Sequence, residues 1–109
     1  MKIEYLNEFL VLARCLNYVV ASDMLFLSQS TLTRHIQALE EFYGVLLFDR
    51  STRKMTLTRE GKMLIPYAKA IMNKYNEYIA GAGTRRESNN AFAFSDQYTS
   101  SEQYLISTM

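Results

Sequence analysis

The sequence predicts a mainly α-helical chain with one short β-hairpin, and three features predict it. Residues 28–44, SQSTLTRHIQALEEFYG, place Leu32, Ile36 and Leu39 at spacings of four and three, the helical period, with polar side chains opposite. Two shorter apolar segments with helical character precede this stretch. A segment that alternates apolar and polar residues follows it, before a last, long helical stripe. With 109 residues, 49% of them hydrophobic, the chain supports one compact domain with an appendage.

The first helix is expected over residues 3–16, where Ile3, Leu6, Phe9, Leu10, Ala13 and Leu16 fall on one stripe. Asn17 can end it or cap the next helix, YVVASDML at 18–25, which is apolar on most sides. Phe26 and Leu27 form a brief turn. Ser28 then caps a third helix, and Gly44 stands where that helix would end. Two helices joined by a short turn, the second with a polar outer face, make a helix-turn-helix.

Beyond Gly44 the apolar run VLLF at 45–48 and the alternating KMTLT at 54–58 read as two strands around the polar, basic DRSTR. A hairpin after a helix-turn-helix is a wing. Thr58 can cap a long final helix, with Glu60 near the positive end of its dipole. Leu64, Ala68, Ile71 and Tyr75 step by four and three, widened by Met72 and Ile79, which predicts a helix to about Ile79 or Ala80. Pro66 should bend it. Gly81-Ala82-Gly83 marks a break, 84–90 a linker, Phe92–Phe94 a short strand, and Ser100 or Ser101 the cap of a closing helix. The predicted organisation is a winged helix-turn-helix at 1–58, a linker and dimerisation helix at 59–80, and a hinge with poorly ordered residues at 81–109.

Composition removes several function classes. The net charge is +1, so any basic footprint is local. The single cysteine, Cys15, leaves no intrachain disulfide and no cysteine-cluster zinc site, and reads as a small apolar residue of the first helix. There is no run of about 18 apolar residues to span a membrane. Glu4 and Glu8 near the start do not fit a signal peptide, so a cytoplasmic protein is expected. No acid pair, nucleophile–base pair, glycine-rich phosphate loop or metal cluster stands out, so no enzyme, cofactor or metal is expected.

The outer face of the third helix carries Gln29, Ser30, Thr33, Arg34 and Gln37, side chains suited to phosphates and base edges in a major groove. Arg34 can pair bidentately with guanine or brace a phosphate. Gln29, at the helix start, can bond an adenine edge in two places. Ser28 reads equally as a contact or as a cap. Between Arg50 and Lys62 stand Arg50, Arg53, Lys54, Arg59 and Lys62 against Glu60 alone, a basic wing. Arg53 at its tip is placed for a minor groove and Lys54 for backbone. Arg50 has a rival structural role, through Asp49 or a helix acid. Backbone N–H groups at Asn17 can bind a phosphate, whereas Tyr18 reads as core. His35, the sole histidine, is expected to meet a phosphate or to lie exposed.

Residues 1 to about 80 resemble the N-terminal winged helix-turn-helix domain of LysR-type transcriptional regulators, through FLVLARCLNYVVASDMLFLSQSTLTRHIQALEEFYGVLLFDRSTRKMTLTREG. The most specific pieces are SQ…L.R.I..LE, then GV.LF.R, then LT..G at the start of the long helix. Ser30 and Leu46 stand where the family often has proline, Thr33 where serine is frequent, and Val20 where a basic or polar residue is common. The missing proline should make the start of the recognition helix less rigid. The resemblance implies dimerisation by the long helix together with the first, with Leu64, Ala68, Ile71 and Tyr75 at the seam. FAFSDQYTSSEQYLI resembles the opening of the family's effector-binding domain, so a truncated chain with no small-molecule effector is expected. The expected function is sequence-specific binding of double-stranded DNA by a transcription regulator, as a dimer on an inverted repeat. The alternative is an interaction module that forms mixed dimers with a full-length relative.

Overall fold

The computed structural model describes residues 1–85. Within them the order is α1 (Glu4–Cys15), α2 (Tyr18–Leu25), α3 (Gln29–Tyr43), β1 (Phe48–Asp49), β2 (Thr56–Leu57) and α4 (Arg59–Arg85). The strand expected at Phe92–Phe94, the helix expected from Ser100 or Ser101 and most of the expected linker lie outside the described residues.

The helices end as their sequences dictate. The Asn17 side chain accepts the N–H of Val20 at 3.0 Å and caps α2. The Ser28 hydroxyl accepts the N–H of Thr31 at 3.1 Å and caps α3. Gly44 closes α3 at φ 72°, a conformation that suits glycine. Leu16 and Phe26 adopt the same left-handed conformation at φ 51° and 57° without glycine's freedom. The helix-turn-helix corner therefore closes on a strained phenylalanine that is 91% exposed.

The chain divides into two compact units, Met1–Ala68 and Lys69–Met109. In the first, α1, α2 and α3 pack on one another in every pairing. Phe9, Leu10, Leu12, Leu32, Ile36, Leu39, Leu47 and Phe48 fill the core. Phe9 and Phe48 meet with ring centroids 5.6 Å apart. In the second unit, the described part is the rest of α4, where Met72 is buried, Ile71 and Tyr78 are exposed, and Lys74 pairs with Glu77 at 3.5 Å.

The hairpin is shorter than predicted. Only Phe48↔Leu57 and Asp49↔Thr56 pair, antiparallel. The next pair in this register, Leu47 and Thr58, is only half made: the Leu47 carbonyl accepts the Thr58 N–H, but the Leu47 N–H donates to Glu40 instead. At the other end, the Lys54 carbonyl accepts the Thr52 hydroxyl at 2.8 Å in a local turn.

Thr58 anchors α4 three ways. Its hydroxyl donates to the Leu46 carbonyl at 2.7 Å and accepts the N–H of Gly61 at 2.9 Å, while its own N–H donates to the Leu47 carbonyl at 3.1 Å. Gly61 is needed here for space: a Cβ would overlap the Leu47 carbonyl oxygen and come within 2.9 Å of a Leu57 methyl.

One expectation for α4 needs correction. The helix passes through Gly81-Ala82-Gly83 to Arg85 instead of stopping at 79–80, so 59–80 understates it and the expected linker begins inside it. A helical glycine costs only about 1 kcal/mol relative to alanine, which does not by itself stop an established helix. Pro66 lies inside α4, where it was expected. It removes the donor for the Lys62 carbonyl, but both residues are exposed and water can take that role.

Candidate nucleic-acid interface

Helix α3 has two chemically opposite faces. Leu32, Ile36 and Leu39 are fully buried, while Ser28, Gln29, Ser30, Arg34 and Gln37 are exposed and Thr33 is half-exposed. The sequence-predicted set on this helix is therefore brought together on one outward surface. Ser28 serves as the cap, and its hydroxyl also donates to Thr31 Oγ1 at 2.9 Å and lies 3.3 Å from Ser30 Oγ. Thr33 is turned inward at its hydroxyl, which donates to the Gln29 carbonyl at 2.9 Å. Among the described residues no hydrogen bond or ion pair engages the side chains of Gln29, Arg34 or Gln37, so their polar ends stand free for an external partner.

The wing carries Arg53 and Lys54 exposed on the connection between β1 and β2. Its base is ordered by Asp49, which accepts the hydroxyl of Ser51 at 2.6 Å and its N–H at 2.9 Å. Those bonds, the hydroxyl's first, hold the Asp49 carboxyl below its usual range. Of the remaining basic residues, Arg59 lies 3.8 Å from Glu60 and Lys62 is exposed.

Arg50 takes its structural option. Its guanidinium donates to the Tyr18 hydroxyl at 2.9 Å, the Phe48 carbonyl at 3.3 Å and Glu40 at 3.4 Å. Burial alone would lower its pKa, and the bonds to Tyr18 and Glu40 outweigh that and raise it. Tyr18 is accordingly half-buried, a link between α2 and the wing as well as a packing residue. Arg50, Glu40 and Tyr18 thus tie the start of α2, the recognition helix and the hairpin into one body. Asn17 uses its side-chain oxygen as a cap and stays exposed.

His35 contradicts its expected role as a phosphate contact or exposed ring. It is 19% exposed, its Nδ1 lies 2.7 Å from Glu8 Oε1, and its ring stacks on Tyr5 with centroids 4.1 Å apart. One residue past Arg34 on a helix is a rotation of about 100°, enough to swing the ring to the α1 side. Glu8 and Glu40 are structural residues that the sequence reading did not single out. Glu40, four residues after Ile36, falls on the apolar stripe, and its burial was readable from that spacing.

Of the expected dimer seam, Ala68 is already fully covered within the single chain, Leu64 and Tyr75 are half-buried, and Ile71 is 40% exposed. Among the described residues no helix is long and apolar enough to cross a membrane, and no group of three or more His, Cys, Asp or Glu is arranged to hold a metal ion.

Known proteins share this arrangement. The chain is 39% identical over 74 residues to the HTH-type transcriptional regulator YbhD of Escherichia coli, covering 68% of this chain and 23% of that protein. It is 36% identical over 80 residues to the transcriptional regulator CitR of Bacillus subtilis, covering 73% and 28%. The chain therefore spans about a quarter of the length of these relatives. Among solved structures, the BenM DNA-binding domain in complex with catB site 1 DNA superposes with a TM-score of 0.71 at 26% identity, over 82% of this chain and all of that one. Vibrio fischeri DarR in complex with DNA superposes with a TM-score of 0.73 at 27% identity, over 83% of this chain and 31% of that one. Residues 3–62 match the family described as bacterial regulatory helix-turn-helix protein, lysR family. With its helix-turn-helix, two-stranded wing and long α4 in the order those residues dictate, this chain belongs to the LysR family of DNA-binding transcription regulators.

Proposed function

We propose that this chain binds double-stranded DNA sequence-selectively, with α3 in the major groove and the wing at 49–54 against the minor groove and backbone. The observation that carries the reading is that Gln29 at the helix start and Arg34 and Gln37 on its outer face stand exposed and unengaged, while Leu32, Ile36 and Leu39 seal the inner side. A helix so divided presents hydrogen-bonding ends from a rigid support, which direct readout of base edges requires. The wing's Arg53 and Lys54 supply the local positive charge that a near-neutral chain otherwise lacks. The DNA complexes of the similar BenM and DarR domains support the same assignment.

The chain acts in this reading as a dimer through α4, which places two recognition helices on an inverted repeat. Selection of bound duplexes from a random pool, followed by footprinting, tests both parts. Enrichment of two half-sites related by inversion is expected. Uniform recovery of all sequences would defeat the selective reading, and a single half-site would defeat the dimer.

A second reading, mixed dimers with a longer relative, is favoured by an exposed apolar groove lined by Tyr43, Val45, Leu47, Met63, Leu64 and Tyr67. Co-purification with such a relative, together with weak DNA binding alone, would support it over the first.

A further inference from the structure

The recognition helix is attached to α1 by an unusual contact for a mostly apolar interface. Glu8 is 8% exposed, and its Oε1 lies 2.7 Å from His35 Nδ1 across the α1–α3 junction. The imidazole meets that carboxylate at its edge and stacks by its face on the Tyr5 ring, nearly parallel to it at 15°. On the same helix the next residue back is Arg34, the free cation of the outward row. The histidine thus sits on the inner side of the same turn that presents the arginine.

We propose that Glu8 and His35 form a proton-operated brace that positions the recognition helix, so that selective DNA binding strengthens when the imidazole is protonated. This rests on the DNA-binding reading. A charged imidazole and a carboxylate make a charge-assisted hydrogen bond, about twice as strong as a neutral one. Loss of the proton leaves a buried carboxylate with a weaker partner, and a buried charge without compensation is costly. The charged group facing the pair is Glu4 on α1, which repels the Glu8 carboxylate, while Arg34, next to His35 in sequence, is exposed on the outward face. Tyr5, also on α1, faces the imidazole as a neutral ring.

The titration of Glu8 points the same way. Burial pushes its carboxyl above the ordinary value, His35 pulls it back by hydrogen bond and charge, and Glu4 adds to the rise. A carboxyl raised on folding contributes stability that is complete below its unfolded pKa and is lost as pH rises through the folded one. The Glu8 contribution therefore falls as pH rises, and histidine is the side chain that ordinarily changes charge between about pH 5 and 8. Because His35 is the sole histidine, the dependence is assignable to one residue.

The test uses the whole chain and a duplex enriched from a random pool. Affinity and melting temperature are measured at about pH 6 and about pH 8 at one ionic strength. The wild-type chain is expected to bind roughly fivefold more weakly at the higher pH and to melt lower. His35→Gln, which can still donate to Glu8 but cannot titrate, flattens both profiles, and Glu8→Gln does the same from the other side. A flat wild-type profile overturns the brace, as does a slope that survives in His35→Gln. A melting change with no change in selective affinity reduces the pair to a structural contact and overturns its link to binding. If no duplex is enriched at all, the DNA-binding reading fails, while the melting comparison still decides the brace.

Discussion

Glu40 accepts the backbone N–H of Leu47 at 2.8 Å, so the recognition helix and the root of the wing share one carboxylate. The same oxygen receives Phe48 N–H at 3.3 Å and the Arg50 guanidinium at 3.4 Å. A helix and a hairpin that meet in this way keep their separation fixed, and in the proposed docking that separation sets how far α3 in the groove stands from the wing on the flanking backbone.

Glu40→Ala strands two backbone donors and a cation in a site where Glu40 itself is 7% exposed. A loss of about 2–4 kcal/mol of unfolding free energy is expected from groups left unpaired on burial. Urea denaturation measures it. Glu40→Gln keeps an acceptor and should lose clearly less; equal losses would mean that packing, not the acceptor, matters.

Gly61→Ala tests the close approach of α4 to Leu47. The added methyl meets a backbone carbonyl that cannot swing aside. Destabilisation by about 1–3 kcal/mol is expected despite alanine's better helix propensity. Calorimetric melting that rises in this variant would show that the junction is slack.

Arg34→Ala and Lys54→Ala should separate reading from holding. The first is expected to cost about 1–3 kcal/mol on an enriched duplex and to broaden the selected sequence at one position. The second should weaken all duplexes alike and lower the salt slope by about one. Fluorescence anisotropy across a salt series measures both. Identical profiles for the two variants would remove the distinction between helix and wing.

Arg50→Ala and Arg53→Ala should part in the opposite sense. Arg50 is engaged by Tyr18, Phe48 and Glu40, so its loss should lower the melting temperature before it alters binding. Arg53 is exposed, so its loss should leave melting unchanged and weaken duplex binding. Melting curves run beside binding isotherms decide it.

Thr33 directs its hydroxyl hydrogen to the Gln29 carbonyl, which leaves a methyl group and a lone pair for a base edge. An A·T pair offers a thymine methyl and an adenine amino donor in the major groove. Exchanging thymine for deoxyuridine in an enriched duplex should cost the wild-type chain about 0.8 kcal/mol, the burial of one methyl group. Thr33→Ser should be indifferent to the exchange; an equal penalty in both chains would place the methyl contact elsewhere.

How much of this was legible follows from the range of each interaction. The division of α3 into Leu32, Ile36 and Leu39 against Gln29, Arg34 and Gln37 is a matter of helical period and could be read directly. The caps at Asn17, Ser28 and Thr58 are local and could also be read. His35 was misplaced because its partner Glu8 lies 27 positions away, and local pattern holds no information about a pairing across two helices. The hairpin came out shorter because Glu40 took the Leu47 N–H that a longer ladder would have used. The end of α4 was set too early because glycine was given more weight as a breaker than its modest energetic cost warrants.

The absence of any side chain on Gly61 brings α4 into direct register with the backbone of Leu47, leaving no lubricating layer between them. Sliding there requires Thr58 to release Leu46 and Leu47 together. A torque applied to the first turn of α4 is therefore delivered to the hairpin root undamped, as through a keyed shaft and not a hinge.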